Sequence, residues 1–372
     1  MQILVLGATG YVGSRVVPAL LEAGHRVVAA SSSPPAPRRF AWGDQVDWVQ
    51  CDVGDEDAVR LALTDVDGIC YLVHTLNSRG FADRDRRGAE VVRDVVADSD
   101  VRRIVYLSGL VPDVAPEDLS EHISSRLEVE DVLGEAATTG RTVLALRAGV
   151  VLGAGSTSFE IIRQLATLLL VQPVPTWLQH KVQPIAVTDV SRAIVEAFGP
   201  PDSTGPDPTG PDTAGPDTAG LGQLSGNVDI GGPDVLPYAR LLAECSRSSG
   251  LLRVRVPAVL VPAPLVGLGT AALSAAPFWT VTALVASLRH DMVCRSGRTW
   301  VPADGGPLVG VSEAITRALA PDGGTPEAPL PSDPGWTRMR APVLDEVHAP
   351  ATVRAGASLA LRRVRALLGR AD

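Results

Sequence analysis

The chain has 372 residues, is 45% hydrophobic and 20% charged, and carries a formal net charge of −9. That length suits one large domain with a smaller one, and the apolar fraction supports a sizeable core. The acidic balance excludes general nucleic-acid binding, which needs a basic surface.

The run Ile3 to Leu6 reads as a short apolar strand. It ends in Gly7-Ala8-Thr9-Gly10-Tyr11-Val12-Gly13. Val12, Val16, Leu20 and Ala23 then share one helical face. Glycine lets such a turn close and lets backbone approach a ligand. The following helix aims unpaired N–H groups and its positive dipole end at whatever lies over the turn, which suits a pyrophosphate. No Gly-Lys-Ser/Thr follows, so a P-loop is excluded. The alternative is an ordinary strand–helix turn with packing glycines.

Strand-like runs recur at Arg26–Ser31, Asp47–Val53, Gly68–Thr75, Arg103–Val111 and Thr142–Leu152. Helical patterns lie between and after them at Asp55–Leu63, Phe81–Val96, Ser120–Ala137 and Ser156–Leu170. The strands are continuously apolar, as expected when helices cover both faces. This order predicts an α/β fold: a doubly wound parallel sheet in residues 1–199, with ligand outside the strand C-terminal ends.

Residues 200–222 break the pattern with a five-residue Gly-Pro-Asp repeat of turn formers, read as a disordered insertion. Residues 223–320 should complete the fold as a smaller, α-rich substrate or lid region. Asn227–Gly231 reads as a strand there, and Pro233–Ser248 as a helix. The charge-free run Val256–Leu288 is long enough to span a bilayer but is broken by Pro257, Pro262, Pro264 and Pro277. A buried or lid-like helical pair is expected, with membrane-surface contact as the alternative. Residues 321–372 read as a Pro-rich linker and an Arg-rich tail. Its segment Val353–Arg370 is either a solvated helix or one that meets a membrane or partner.

Cys51, Cys70, Cys245 and Cys294 form no C-x-x-C pair, so no metal site is expected. The opening apolar run is too short for a signal peptide, so the expectation is a reducing cytoplasm. Nothing in the sequence sets the oligomeric state.

A dinucleotide on the glycine turn would be selected at the end of the second strand. There the chain has Ser31, Ser32 and Ser33, with Arg38 and Arg39 a little later, and no carboxylate. Hydroxyls with a nearby arginine can accept a 2′-phosphate, so NADP is preferred over NAD. Asp52 ends the third strand beside the expected crevice, where it could accept the adenine amino group or cap a helix. Asp55 suits the cap better. His74 closes the fourth strand, as a site residue or simply a strand-end histidine.

The glycine turn, Cys51-Asp52-Val53, Tyr71-Leu72-Val73-His74, Leu107-Ser108-Gly109, Leu146 to Gly153, and Pro184 to Val190 resemble the atypical, extended-like short-chain dehydrogenase/reductases in order and spacing. Within that superfamily the chain looks most like NmrA-like and complex I accessory-subunit-like NAD(P)H-binding proteins. The likeness covers about residues 1–200 well and 227–300 more loosely. It implies NAD(P)(H) binding through Gly7, Thr9, Gly10, Tyr11, Val12, Gly13, Ser31, Ser32, Asp52, Val53, Val73 and His74. It names no substrate.

Active members of the superfamily use a Tyr-x-x-x-Lys pair with a serine. This chain cannot build that pair, because its one lysine, Lys181, follows Trp177. The resemblance puts His122 in the tyrosine's place, Arg126 in the lysine's, and Ser108 in the serine's. The i, i+4 spacing keeps His122 and Arg126 on one helix face. A neutral histidine can donate or accept a proton, and arginine can bond ribose or phosphate. Alternatively, the two only anchor the cofactor or cap local structure. A second expected site joins Arg147 to the turn before the next helix, where Gly155 and Ser156 would meet a substrate anion. Arg147 could instead pair with Glu128 or Glu130. Thr188-Asp189 reads as a helix N-cap. Two functions follow: a reductase or epimerase-like enzyme for a small apolar substrate, or a non-catalytic NAD(P)H-binding sensor or accessory factor.

Overall fold

The computed structural model describes residues 1–33, 36–75, 80–201, 220–258, 276–320 and 324–337. The Gly-Pro-Asp repeat at 202–219, residues 259–275 of the charge-free run and the Arg-rich tail lie outside the described residues.

The chain begins with strands and helices in this order: β1 (Gln2–Leu6), α1 (Gly13–Glu22), β2 (Arg26–Ser31), β3 (Asp47–Gln50), α2 (Glu56–Ala62), β4 (Gly68–Tyr71), α3 (Phe81–Val96), β5 (Arg103–Gly109), α4 (Glu121–Gly134) and β6 (Thr142–Ala148). Then come β7 (Val151–Leu152), α5 (Thr157–Leu168), β8 (Val171–Pro175), β9 (Lys181–Val182), β10 (Ile185–Ala186), α6 (Val187–Phe198), β11 (Gly226–Ile230) and, after the short strand Leu236–Pro237, α7 (Tyr238–Ser248).

Seven strands form the central sheet in the order β11-β6-β5-β4-β1-β2-β3, every neighbouring pair parallel. The order reverses at β1, so the crevice between β1 and β4 is the topological switch point where such sheets bind ligands. One sheet face packs Ile3 and Val5 against Val16, Val17 and Leu20 of α1 and Val190, Ile194 and Ala197 of α6. The other packs Leu4, Ile69 and Ile104 against Val59 of α2, Val92 and Val96 of α3, and Leu133 of α4. A third cluster joins Phe159 of α5, Leu241 and Cys245 of α7, and Ile315 of the helix Val311–Leu319.

Several boundaries move. The run expected at Thr142–Leu152 is two strands, because Gly149 meets the Gln183 carbonyl so closely that a Cβ there would lie 1.9 Å from it. The helix expected from Pro233 begins at Tyr238, since Leu236 and Pro237 pair antiparallel with Val182 and Lys181. Asp234 accepts instead from the Val311 N–H, at the start of a different helix. Thr188 and Asp189 lie inside the first turn of α6 and do not cap it. Thr188 donates to Glu327, and Asp189 accepts from the Val309 N–H at 2.8 Å. Asp55 does cap α2, accepting from Asp57 and Ala58.

The Pro-rich stretch assigned to a linker is partly structural. Glu327, Ser332 and Asp333 are buried, and Ala154 donates its N–H to the Glu327 carbonyl at 2.8 Å. The charge-free run opens inside a strand, Val254–Ala258, that pairs with β8, and Phe278–Ser287 forms a helix. Among the described residues, no helix is long and apolar enough to cross a membrane.

Candidate functional site

The glycine turn is shaped by three different constraints. Gly7 has φ +88°, a left-handed conformation that a side chain would strain. A Cβ on Gly13 would lie 2.3 Å from the Gly7 carbonyl oxygen, so this glycine lets α1 start against the end of β1. Gly10 is exposed, and a Cβ there would meet only the Gly7 oxygen, at 3.2 Å. The Tyr11 and Val12 amides that open α1 donate to no protein acceptor among the described residues. A solvent-facing glycine beside uncommitted amides at a helix start is the donor set that a pyrophosphate needs.

Ser31 is buried at the end of β2, and Ser32 is exposed beyond it. Asp52 is exposed and accepts from the Gly54 N–H at 3.0 Å, while Val53 packs against the core. Val73 and His74 follow β4, on the neighbouring side of the switch point.

A cavity of about 360 Å³ runs from Tyr11 and Val12 past the ends of β4, β5 and β6. Its polar wall comprises His74, Ser108, His122 and Arg126. Its far wall is apolar: Ile161 and Leu165 from α5, Trp177, Leu242 from α7, and Leu284 and Met292. The start of α4 is fixed by Ser120, whose hydroxyl accepts from the Ile123 N–H and bonds Ser287 Oγ at 2.8 Å. That joins the helix bearing His122 and Arg126 to the helix Phe278–Ser287.

Arg126 donates to the Leu107 carbonyl at 2.8 Å. His122 Nδ1 and His74 Nε2 are buried with no hydrogen-bond partner, and the buried Ser108 side chain faces the Tyr106 hydroxyl. The two imidazoles lie with centroids 5.1 Å apart and planes inclined by 37°. Burial, then the Arg126 charge, then His74 hold His122 well below the ordinary histidine pKa, so its ring is neutral. Burial and Arg126 likewise lower His74, to about 4, against the opposing pull of Asp85.

Sequence reasoning missed Asp85. It stands one turn into α3, is buried, and contacts His74 Nδ1 at 2.7 Å. Thr75 donates to it through its N–H at 3.0 Å and its hydroxyl at 2.6 Å. Burial raises the Asp85 pKa, but hydrogen bonds from His74 and Thr75 outweigh it and the carboxyl ends below its usual range. The available signal was a strand-end histidine followed by an acidic residue in the first turns of the next helix.

The second expected site is not assembled. Arg147 forks onto Glu130 of α4, at 3.0 and 2.7 Å, both side chains about 10% exposed, and does not line the cavity. It is the ion-pair partner its alternative reading allowed. The Gly155 N–H donates to Glu160 at 3.0 Å, and a Cβ on Gly155 would meet the Asp333 carboxylate at 2.5 Å. The chain's own acids therefore fill the place expected for a substrate anion. Ser156 does line the cavity, but its hydroxyl donates to the Val151 carbonyl at 2.7 Å. Among the described residues, no His, Cys, Asp and Glu cluster could hold a metal ion.

Residues 7–139 match a family model described as NAD(P)H-binding. No curated protein matches the sequence. Among solved structures, a nucleoside-diphosphate-sugar epimerase from Staphylococcus aureus shares 13% identity, with 85% of this chain and 100% of that one covered, at a TM-score of 0.61. UDP-glucose 4-epimerase from Thermotoga maritima shares 15% identity over 85% of this chain and 96% of that one, with a TM-score of 0.56. MoeE5, in complex with UDP-glucose and NAD, shares 18% identity over 70% of this chain and 85% of that one, with a TM-score of 0.53. At these identities the likeness is one of fold. With the family match over residues 7–139, it supports nicotinamide-dinucleotide binding on a Rossmann-like α/β fold.

Proposed function

We propose that this NAD(P)(H)-binding protein is an oxidoreductase for a small apolar carbonyl compound or its alcohol, with Ser108, His122 and Arg126 in the place of a Ser/Tyr/Lys set. One observation carries the reading. A single cavity joins the cofactor turn at Tyr11 and Val12 to a cluster of unpaired polar atoms and then to an apolar chamber. The dinucleotide, when bound, supplies or accepts a hydride.

The chain's own groups serve the oxygen of the reacting carbon. Ser108 Oγ and the neutral His122 ring line the cavity, and polar groups fixed in a buried site stabilise developing negative charge. Arg126 stays charged; its tie to the Leu107 carbonyl keeps it at the cavity wall. The apolar walls from α5, α7 and Phe278–Ser287 offer little to a diphosphate or to sugar hydroxyls. A sugar nucleotide is therefore a poorer fit than a compact apolar carbonyl. The 2′-phosphate form is the preferred cofactor, because Ser31 and Ser32 replace the usual acid.

The missing Tyr-x-x-x-Lys pair favours a second reading: a non-catalytic sensor or accessory factor that binds the reduced dinucleotide. Fluorescence titration with NADPH and NADH, followed by turnover assays with aldehydes, ketones and quinones, separates the two. Turnover that falls at least tenfold in His122→Gln supports the enzyme. Tight binding without turnover of any acceptor supports the sensor.

A further inference from the structure

We infer that His74, oriented by Asp85, is the proton-transfer residue of the cavity. Asp85 is its positioning residue. This rests on the oxidoreductase reading above.

Asp85 accepts from Thr75 twice and contacts His74 Nδ1 at 2.7 Å. An ionised carboxylate only accepts, so neutral His74 carries its hydrogen on Nδ1. Its Nε2 is then a lone pair, buried, without a partner, on a ring that lines the cavity. His122 has no such orienting contact, because its own Nδ1 is buried and unpaired. Of the two imidazoles, only His74 has its tautomer fixed from behind. An acid–base histidine uses that arrangement: one nitrogen held, the other without a protein partner and so free to exchange a proton.

The step balances as follows. In the oxidative direction, the oxidised dinucleotide, when bound, would accept the hydride lost from the substrate C–H bond. The hydroxyl O–H bond breaks, and its proton forms an Nε2–H bond on His74. The imidazolium is balanced by Asp85 and releases the proton to solvent. Carbonyl reduction runs the same path backwards. Ser108 and His122 hold the oxygen throughout.

The groups facing His74 are Asp85 from α3 and Arg126 and His122 from α4, with the Phe81 ring edge at 6.4 Å between centroids. Asp85 favours the imidazolium, whereas Arg126 and burial oppose it. Reduction should therefore slow as pH rises, and removing the Asp85 charge should move that fall to lower pH.

The test uses the full-length chain with NADPH and four acceptors: benzaldehyde, decanal, cyclohexanone and 1,4-naphthoquinone. Long-range ¹H–¹⁵N NMR reads the His74 tautomer with and without NADPH. We expect an Nδ1–H tautomer, and a kcat at least tenfold lower in His74→Gln and Asp85→Asn. Asp85→Asn should displace the pH profile, Asp85→Glu should recover part of the rate, and NADPH affinity should stay within twofold in the two Asp85 variants. An Nε2–H tautomer, or turnover that survives His74→Gln, overturns the inference alone. No turnover of any acceptor by wild-type protein that binds NADPH overturns the oxidoreductase reading and takes this inference with it.

Discussion

Arg15 and Asp333, 318 positions apart in the chain, form a forked ion pair at 2.9 Å on both arms, with side chains 1% and 4% exposed. Arg15 belongs to the first turn of the cofactor helix α1. Its other donors reach the carbonyls of Pro326, at 2.8 Å, and Ala154, also at 2.8 Å. Its guanidinium lies 4.2 Å from the Tyr11 ring centroid. The segment 324–337 thus pins the cofactor turn and the connection from β7 to α5 to one point.

Removing one partner of such a pair strands the other charge in a dry site. Asp333→Ala should cost about 3–5 kcal/mol of unfolding free energy. The double variant Arg15→Met/Asp333→Leu should recover much of this, since it leaves no buried charge. Urea denaturation of wild-type protein, Asp333→Ala and the double variant measures both effects. A loss below about 1 kcal/mol in the single variant would show that water reaches the pair.

The glycines of the cofactor turn should fail in different ways. Gly13→Ala places a Cβ against backbone at 2.3 Å, so the turn itself must shift. Stability and NADPH binding should fall together. Gly10→Val adds bulk on an exposed face, where only the Gly7 oxygen is near. Its melting temperature should stay within a few degrees while NADPH binding is lost. If Gly10→Val binds NADPH normally, the pyrophosphate does not lie on this turn.

The fold was legible because its cause is local. Short continuous apolar runs between turn formers, such as Ile3 to Leu6, fit buried strands, and the periodic faces between them fit their covering helices. The cavity's polar wall was legible in part, because Ser108, His122 and Arg126 sit at strand and helix ends whose positions follow from the fold. The rest depended on contacts across the chain. Which face of β6 Arg147 takes is invisible until Glu130 of α4 is placed beside it. Asp85 acquires its role only when the first turns of α3 meet the end of β4. The composition around Pro326 reads as a linker, yet Glu327 and Asp333 find partners on α6 and α1.

The cofactor preference has its own test. Of the two arginines expected near the second strand, Arg39 is committed to the Ser332 carbonyl at 2.6 Å, while Arg38 is exposed. Arg38 is then the cation available to a 2′-phosphate beside Ser31 and Ser32. Arg38→Ala should weaken NADPH binding about tenfold, or ~1.4 kcal/mol, and leave NADH binding unchanged. Parallel fluorescence titrations give both constants. Equal wild-type affinities for the two cofactors would remove the preference altogether.

Acid should destabilise the protein through its cavity histidines. Burial and Arg126 hold His74 at about 4, and His122 is lowered as well. In the unfolded chain each returns to about 6.5. Between those values the unfolded state binds protons that the folded state refuses, so stability rises with pH across the window. It should be fully present at pH 7 and lost progressively down to about pH 4. His74 alone accounts for about 3 kcal/mol at most. Asp85 works in the opposite range: its folded pKa is depressed, so its contribution is lost only below the usual carboxylate value near 3.8. The two effects therefore separate on the pH axis. Urea midpoints at pH 7, 6, 5 and 4.5 should fall steadily in wild-type protein and more gently in His74→Gln. A wild-type midpoint that holds constant from pH 7 to 5 would mean that these imidazoles are solvated or already charged in the folded state.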